Sequence, residues 1–148
     1  MKIPTKIRYG LRFLLDLAEY GPQGVVTLRE ASRRQGISQK YLWQVVTPLK
    51  SAGLITAERG KDGGFRLARE PGQVSVRDIF VAIEGECALV GCLPRPETCP
   101  RNGQCTARDV WDQVSQGLGD LMQGISLEQV LEREKQRRAA FQGPEYSI

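Results

Sequence analysis

The stretch QGISQKYLWQVVTPLKSAGLITAERGKDGGFRL, residues 35–67, carries the local signals that decide the fold. Gly36 suits the left-handed end of one helix, and Ser38 suits the N-terminal cap of the next. Two short helices are therefore joined by a turn of about three residues that contains glycine, which is the helix-turn-helix pattern. Helical hairpins that bind no DNA share this geometry, so the pattern alone leaves the function open.

A β-hairpin is predicted directly after the second helix. Residues 54–58 and 65–67 have the composition of short strands, and the residues between them, RGKDGG at 59–64, form a basic, glycine-rich turn. A phosphate-binding loop is the competing interpretation, but such a loop leads into a helix and ends in Gly-Lys-Ser/Thr. This turn leads into a strand, so we interpret the hairpin as the wing of a winged helix-turn-helix.

Two helices are predicted before the turn at Gly36. Apolar residues recur at helical spacing between Thr5, which we expect to cap the first helix, and Gly21-Pro22, which ends it. Thr27 and Glu30 have the spacing of a capping box, in which each side chain accepts a backbone N–H from the other residue. The second helix is therefore expected to begin directly after Thr27.

Three more helices are predicted after the hairpin, over residues 76–84, 106–123 and 127–141, and serine caps precede the first and the last of them. The predicted fold is mainly α with a small β-hairpin. We expect a winged helix-turn-helix DNA-binding domain over residues 1–85, a cysteine-rich loop over 86–105, a dimerisation helix and a C-terminal helix over 106–141, and a tail over 142–148.

The charge is distributed unevenly along the chain. Residues 1–70 contain 13 lysines and arginines and 6 aspartates and glutamates, whereas residues 71–148 contain 8 and 11. A basic first half suggests a module that binds a polyanion, and an acidic second half suggests a separate partner or sensor region. No apolar stretch of about 18 residues and no signal peptide is recognisable, so we expect a cytoplasmic protein with reduced thiols and no membrane partner.

The candidate DNA contacts lie on the wing and on the second helix of the helix-turn-helix. Polar side chains there suit base edges and phosphates. Trp43 could pack locally or contact DNA through its apolar ring. Pro48 removes one helical hydrogen bond, so a kink is expected near it. The residues expected at the DNA are Thr27, Ser38, Gln39, Lys40, Tyr41, Trp43, Gln44, Arg59, Lys61, Gly63 and Gly64.

An apolar stripe runs along the long helix predicted over residues 106–123. Core packing would explain Trp111, but a long helix beyond a compact winged module lacks other elements to cover it. We therefore expect a homodimer that binds a pseudo-palindromic operator in double-stranded DNA. Met122 extends the stripe, and the residues assigned to the dimer interface are Val110, Trp111, Val114, Leu118 and Leu121.

Four cysteines lie within 19 positions, with 4, 6 and 5 residues between successive members. Such thiols can converge on one metal centre. The Cys-x-x-Cys pairs of zinc sites are absent, and iron–sulfur clusters accept more irregular loops. Free thiols and a redox disulfide switch are the alternatives that the spacing leaves open.

The sequence over roughly residues 1–132 resembles the bacterial winged-helix transcription regulators typified by IscR and NsrR. The resemblance rests on RYGLR at 8–12, on QGISQKYL at 35–42, on LKSAGLI at 49–55 and on RGKDGGFRL at 59–67. Further matches are Cys92, Cys99 and Cys105, Val110-Trp111, and Ile125-Ser126-Leu127. The resemblance implies dimerisation through the long helix and, in several members, an iron–sulfur cluster of the [2Fe-2S] or [4Fe-4S] type on those three cysteines.

The fourth ligand departs from the pattern of these relatives. Some use a histidine three residues after the last cysteine, where this chain has Arg108, and the chain contains no histidine. Others use an acidic residue in the first helix, where this chain has Arg8. Arginine offers no lone pair. Cys87 is therefore the simplest candidate, followed by Glu84, Glu86, Glu97 and Asp109.

The sequence thus predicts a dimeric transcription regulator, a repressor or an activator and not an enzyme, that senses redox, iron or nitric-oxide status through an iron–sulfur cluster. A cluster-free regulator controlled by thiol oxidation or by a partner is the first alternative. A small iron–sulfur electron carrier or thiol protein is the second, against which the wing and the basic first half argue.

Overall fold

The computed structural model describes residues 2–141, and the predicted tail at 142–148 lies outside them. Its elements confirm the predicted class, mostly helical with a two-stranded antiparallel sheet. The helices are α1 (Thr5–Tyr20), α2 (Leu28–Gln35), α3 (Gln39–Ser51), α4 (Val76–Glu84), α5 (Thr106–Gln123) and α6 (Leu127–Phe141), and the strands are β1 (Ile55–Glu58) and β2 (Gly64–Leu67). Short 3₁₀ turns occur at Gly21–Gln23, Pro71–Gln73 and Pro96–Thr98.

The helix-turn-helix forms because its ends are capped locally. The Thr27 hydroxyl accepts the Glu30 N–H at 3.2 Å, and the Glu30 carboxylate accepts the Thr27 N–H at 2.9 Å. Gly36 ends α2 with φ 63°, and the Ser38 hydroxyl accepts the Tyr41 N–H at 3.2 Å to begin α3. These bonds satisfy backbone groups that a helix end leaves free, so the turn between α2 and α3 is fixed as predicted.

The expected cap of α1 is wrong by one residue. Pro4 occupies the cap position without a side-chain hydrogen bond, and Thr5 is already the first helical residue. The Thr5 hydroxyl instead accepts a hydrogen bond from Arg8 at 3.0 Å. Proline has no N–H and a fixed φ, so it starts the helix without needing the threonine cap.

The wing is an antiparallel pair in which Ile55 lies opposite Leu67 and Glu58 opposite Gly64. Phe65 also exchanges two backbone hydrogen bonds with Val26, at 2.9 and 2.8 Å. The segment before α2 therefore adds a third short pairing to the sheet. This places the base of the wing beside the first residues of the helix-turn-helix.

The hydrophobic core lies between α1 and α3 and includes Phe13, Leu14, Leu42 and Leu49. It extends beyond residue 85, because Leu127 and Leu131 of α6 belong to the same cluster. The chain returns to this module through backbone hydrogen bonds between Val76 and Ile125 at 2.9 Å and between Leu127 and Val74 at 2.8 Å. Among the described residues, no helix is long and apolar enough to cross a membrane.

Helix α3 continues through Pro48 to Ser51. The proline follows the first half of the helix, which carries Gln39, Lys40, Trp43 and Gln44. The hydrogen bond that Pro48 cannot donate is the one to the Gln44 carbonyl, at the C-terminal side of these residues. The side chains expected at the DNA thus lie on the uninterrupted part of α3.

Candidate nucleic-acid interface and cysteine loop

One side of α3 is anchored and the other is open to solvent. Leu42, Val45 and Leu49 are completely buried against α1, whereas Gln39, Lys40, Trp43 and Gln44 are exposed. At about 100° per residue the exposed side chains cover one continuous face of the helix. That face can enter a groove of DNA while the buried face stays in the core.

Three residues expected at the DNA are engaged within the protein. The hydroxyls of Thr27 and Ser38 serve as helix caps. Tyr41 is half-buried, and its ring meets that of Tyr9 edge-on with centroids 5.2 Å apart. These contacts give all three residues a structural function, and any additional contact with DNA stays a prediction.

The wing presents two basic side chains at its tip. Arg59 and Lys61 are exposed, and neither takes part in an ion pair within residues 2–141. Arg66, in contrast, is committed to Glu58 at 2.7 Å and to the Gly21 carbonyl at 3.1 Å. The tip is therefore the cationic part of the wing that is available for phosphates.

Positions 63 and 64 require glycine because other backbone atoms approach both of them closely. A Cβ at position 63 would collide with the Glu58 carbonyl oxygen, and one at position 64 would lie 2.7 Å from that of Val26. Gly60 at the turn has φ 115°, a conformation that favours glycine. The glycine-rich signature of the wing thus shapes the hairpin, whatever it contacts.

A groove separates α3 from the wing. Its lining includes Leu28 of α2, Trp43, Thr47 and Lys50 of α3, and Arg59 of the wing. The neighbouring face of α2 exposes Arg29 and Arg33, which line one cleft together with Gln39. Sequence reasoning missed Arg29 and Arg33, although their i, i+4 spacing on the first helix of the motif was the signal that could have found them.

The cysteine loop consists of consecutive short turns. Its backbone bonds span three residues, as from Asn102 to Cys99 at 3.1 Å and from Gln104 to Arg101 at 3.0 Å. Two bonds connect it to α5: the Leu89 N–H donates to the Ser115 hydroxyl at 3.1 Å, and Arg108 donates to the Cys92 carbonyl at 3.4 Å. The loop is thus attached to α5, and its own structure is local.

The four cysteines are half-buried free thiols. Burial raises the pKa of the Cys87 thiol, and the neighbouring Arg77 guanidinium opposes that rise. Within residues 2–141, no three cysteine, aspartate or glutamate side chains are gathered to hold a metal ion. The donor chemistry nevertheless fits an iron–sulfur cluster, because thiolates are the ligands that such clusters require and four thiols share one loop.

Helix α5 has one buried face and one open apolar face. Ser115, Gly119 and Met122 pack toward α4, so Met122 leaves the stripe predicted from the sequence and joins the buried side. Val110, Trp111, Val114 and Leu121 are 50, 45, 46 and 64 % exposed, and Leu118 is half-buried. The structure of one chain therefore leaves the rest of the predicted interface uncovered.

Comparisons with known proteins agree with this architecture. Residues 3–133 match the Rrf2 family, described as an iron-dependent transcriptional regulator. Protein rrf2 of Nitratidesulfovibrio vulgaris is 37 % identical over 136 residues, which cover 86 % of this chain and 91 % of the relative.

Two solved structures share the fold over most of their length. CymR (YrzC), the global cysteine regulator of B. subtilis, has a TM-score of 0.74 and 28 % identity over 90 % of this chain and 98 % of its own. IscR of T. potens has a TM-score of 0.71 and 32 % identity over 90 % and 88 %. The family match spans most of the chain, and the fold has the wing and the helix-turn-helix of these regulators. The chain belongs to the Rrf2 family of winged-helix transcriptional regulators.

Proposed function

We propose that this regulator binds operator DNA as a homodimer and that its cysteine loop is the sensor. The observation that carries the proposal is the exposed polar face of α3 lying beside the exposed basic tip of the wing. Since the opposite face of α3 is buried in the core, this is the face of α3 that is free to meet a duplex. A regulator that acts on bacterial chromosomal DNA works in the cytoplasm, where that DNA lies.

The docking follows from the polarity of each part. Gln39, Lys40 and Gln44 face the major groove, where amides and ammonium groups can pair with base edges. Arg59 and Lys61 contact phosphates or the adjacent minor groove, and Arg29 with Arg33 contact the backbone that α2 crosses.

The test of DNA binding is selection of duplexes by the full chain from a random-sequence pool. Enrichment of one recurring site supports the proposal, and a pool that stays random contradicts it.

The dimer uses the uncovered stripe of α5. Val110, Trp111, Val114 and Leu121 would leave water when two copies of α5 pack together, with Leu118 in the same seam. A two-fold axis places two copies of α3 about one helical turn of DNA apart, so the selected site should be a pseudo-palindrome.

The cysteine loop is the place where a signal can reach the DNA-binding heads. It lies between α4 and α5, and two hydrogen bonds attach it to α5. Cys92, Cys99 and Cys105 would hold an iron–sulfur cluster, with Cys87 as the fourth thiolate; such a cluster, when bound, supplies a redox-active and acid-labile centre. Convergence of these thiols requires the loop to change its turns, and that change would act on the first turns of α5.

The decisive experiment is anaerobic incubation of the full chain with ferrous iron and sulfide, followed by iron and sulfide counts, a visible spectrum and operator affinity. Cys92→Ser, Cys99→Ser and Cys105→Ser should each lower the iron content. Cys87→Ser should alter the spectrum if Cys87 is a ligand and leave it unchanged if another group completes the site. If the protein binds no iron, the proposal of an iron–sulfur cluster is excluded, whereas the proposal that the protein binds DNA still stands.

Regulation by thiol oxidation is the second candidate. It is favoured by four free cysteines that are not gathered around a metal site in the described residues, and by the similarity to CymR of Staphylococcus aureus, of which an oxidized form has been solved. Metal-free protein would then change its operator affinity after mild peroxide treatment, and dithiothreitol would reverse the change. Mass spectrometry of the oxidised protein would identify the cysteines involved.

A further inference from the structure

We infer that Trp43 determines operator specificity by contacting the 5-methyl group of a thymine in each half-site. The inference rests on the proposed function and deepens it, because it names the base-edge group that this residue recognises. Its starting observation is an indole that is 59 % exposed on a helix whose opposite face is completely buried.

Trp43 lies within the exposed face of α3. At about 100° per residue, Gln39 lies about 40° to one side of it and Gln44 about 100° to the other, and Thr47 lies one turn further along the same face. The Thr47 hydroxyl donates to the Trp43 carbonyl at 3.3 Å, so the threonine commits its polar group to the backbone. The surface that faces DNA therefore carries one large apolar group among polar side chains.

The hydrogen-bonding groups of the indole limit which base-edge groups Trp43 can recognise. Its N–H is a single donor, so tryptophan cannot make the two-bond pairings by which arginine, asparagine and glutamine identify bases. The C5-methyl of thymine is the apolar group that base edges present in the major groove. Lys50 and Arg59 line the same groove as Trp43 and supply the positive charge that holds a duplex beside it.

A structural role for Trp43 in the core would be accompanied by burial, which the ring lacks. Leu42, Val45 and Leu49 fill the interior side of α3. Trp43→Ala should therefore leave the thermal unfolding midpoint near that of the unaltered protein, while Leu42→Ala should lower it. This pair of variants separates loss of specificity from loss of folding.

The test removes single methyl groups from a duplex that the full chain has selected from a random pool. Each thymine is replaced in turn by uracil, which deletes the methyl and keeps every hydrogen-bonding group. We expect one thymine in each half-site at which the change weakens binding by about fourfold, the worth of one buried methyl-sized group. Trp43→Ala should bind the thymine and uracil duplexes equally.

A second pair of duplexes tests the methyl group on a different base. At the sensitive position the thymine pair is replaced by a 5-methylcytosine pair and by an unmethylated cytosine pair, and the unaltered protein should prefer the methylated one. The inference would be overturned if the unaltered protein bound every uracil duplex as well as the thymine duplex, and if Trp43→Ala weakened binding to all duplexes equally. That result would assign the ring to the sugar–phosphate backbone. Failure of the full chain to enrich any duplex from the pool would instead contradict the proposed function itself.

Discussion

Arg34 donates two hydrogen bonds to the carboxylate of Asp16, from Nε to Oδ1 at 2.9 Å and from Nη2 to Oδ2 at 2.7 Å. The Asp16 side chain is completely buried and that of Arg34 is 23 % exposed. The guanidinium also lies 4.0 Å from the centre of the Tyr20 ring. This pair fixes the end of α2 to α1, and α3 follows after a short turn, so it sets the position of the DNA-facing helix.

Removal of one partner from this pair should be costly. Arg34→Met leaves the Asp16 carboxylate buried without its cation, and we expect a loss of about 3–5 kcal/mol in unfolding free energy by urea denaturation. Arg33→Met is the matched control, since Arg33 is exposed and takes part in no ion pair of the described residues; its change should stay within about 0.5 kcal/mol. Equal stability of the two variants would show that the pair does not fix α2.

The capping box of α2 should make stability sensitive to acid. Hydrogen bonds from the backbone and the hydroxyl of Thr27 lower the pKa of Glu30. The stabilisation is therefore present above the ordinary pKa of a glutamate and is lost as the pH falls through the lowered value. Glu30→Gln can accept the same bonds without titrating, so its unfolding free energy should fall less between about pH 7 and pH 3 than that of the unaltered protein. Parallel curves would contradict this assignment.

The wing should not tolerate a side chain at position 64. Gly64→Ala places a Cβ 2.7 Å from the Val26 carbonyl oxygen, and the backbone of the hairpin must shift to relieve the contact. We expect a loss of about 1–3 kcal/mol. Gly21→Ala is the control, because its Cβ meets nothing within 4 Å and its φ of −58° suits alanine. Comparable thermal unfolding midpoints for the two variants would show that the wing can yield.

Local signals account for what the sequence predicted of this fold. The caps at Thr27 and Ser75 and the left-handed turn at Gly36 involve residues within a few positions of one another, and the structure confirms each of them. Helix α5 also has the predicted bounds, because its apolar spacing is a local property. The wing was recognisable because its glycines and charges are contiguous.

Contacts between distant residues could not be predicted in this way. Arg138 donates two hydrogen bonds to Glu19, at 2.7 Å each, although 119 positions separate them. This contact and the burial of Leu127 attach α6 to α1, across the boundary that the sequence suggested. The pairing of Tyr41 with Tyr9 likewise depends on how α1 and α3 pack, which periodicity does not specify.

The apolar stripe of α5 should hold two chains together. Leu121→Glu would place a charge in the seam of the dimer, where it has no partner, and should shift the protein toward monomer in sedimentation experiments. The leucine is 64 % exposed within one chain, so the protomer should remain folded by circular dichroism. Gln113→Glu adds the same charge at an exposed polar position of α5 and should leave the assembly unchanged. An intact Leu121→Glu dimer would place the interface elsewhere.

The most direct test of the central claim, DNA recognition by α3 and the wing, is equilibrium binding of a selected operator and a scrambled duplex over a range of salt concentrations. Lys61→Ala should weaken both duplexes equally and reduce the salt slope by about one unit, because one phosphate contact is lost. Gln44→Ala should reduce the preference for the operator by about 5- to 150-fold, as expected for a base contact worth about 1–3 kcal/mol. Unchanged slope and unchanged preference in these two variants would contradict the account.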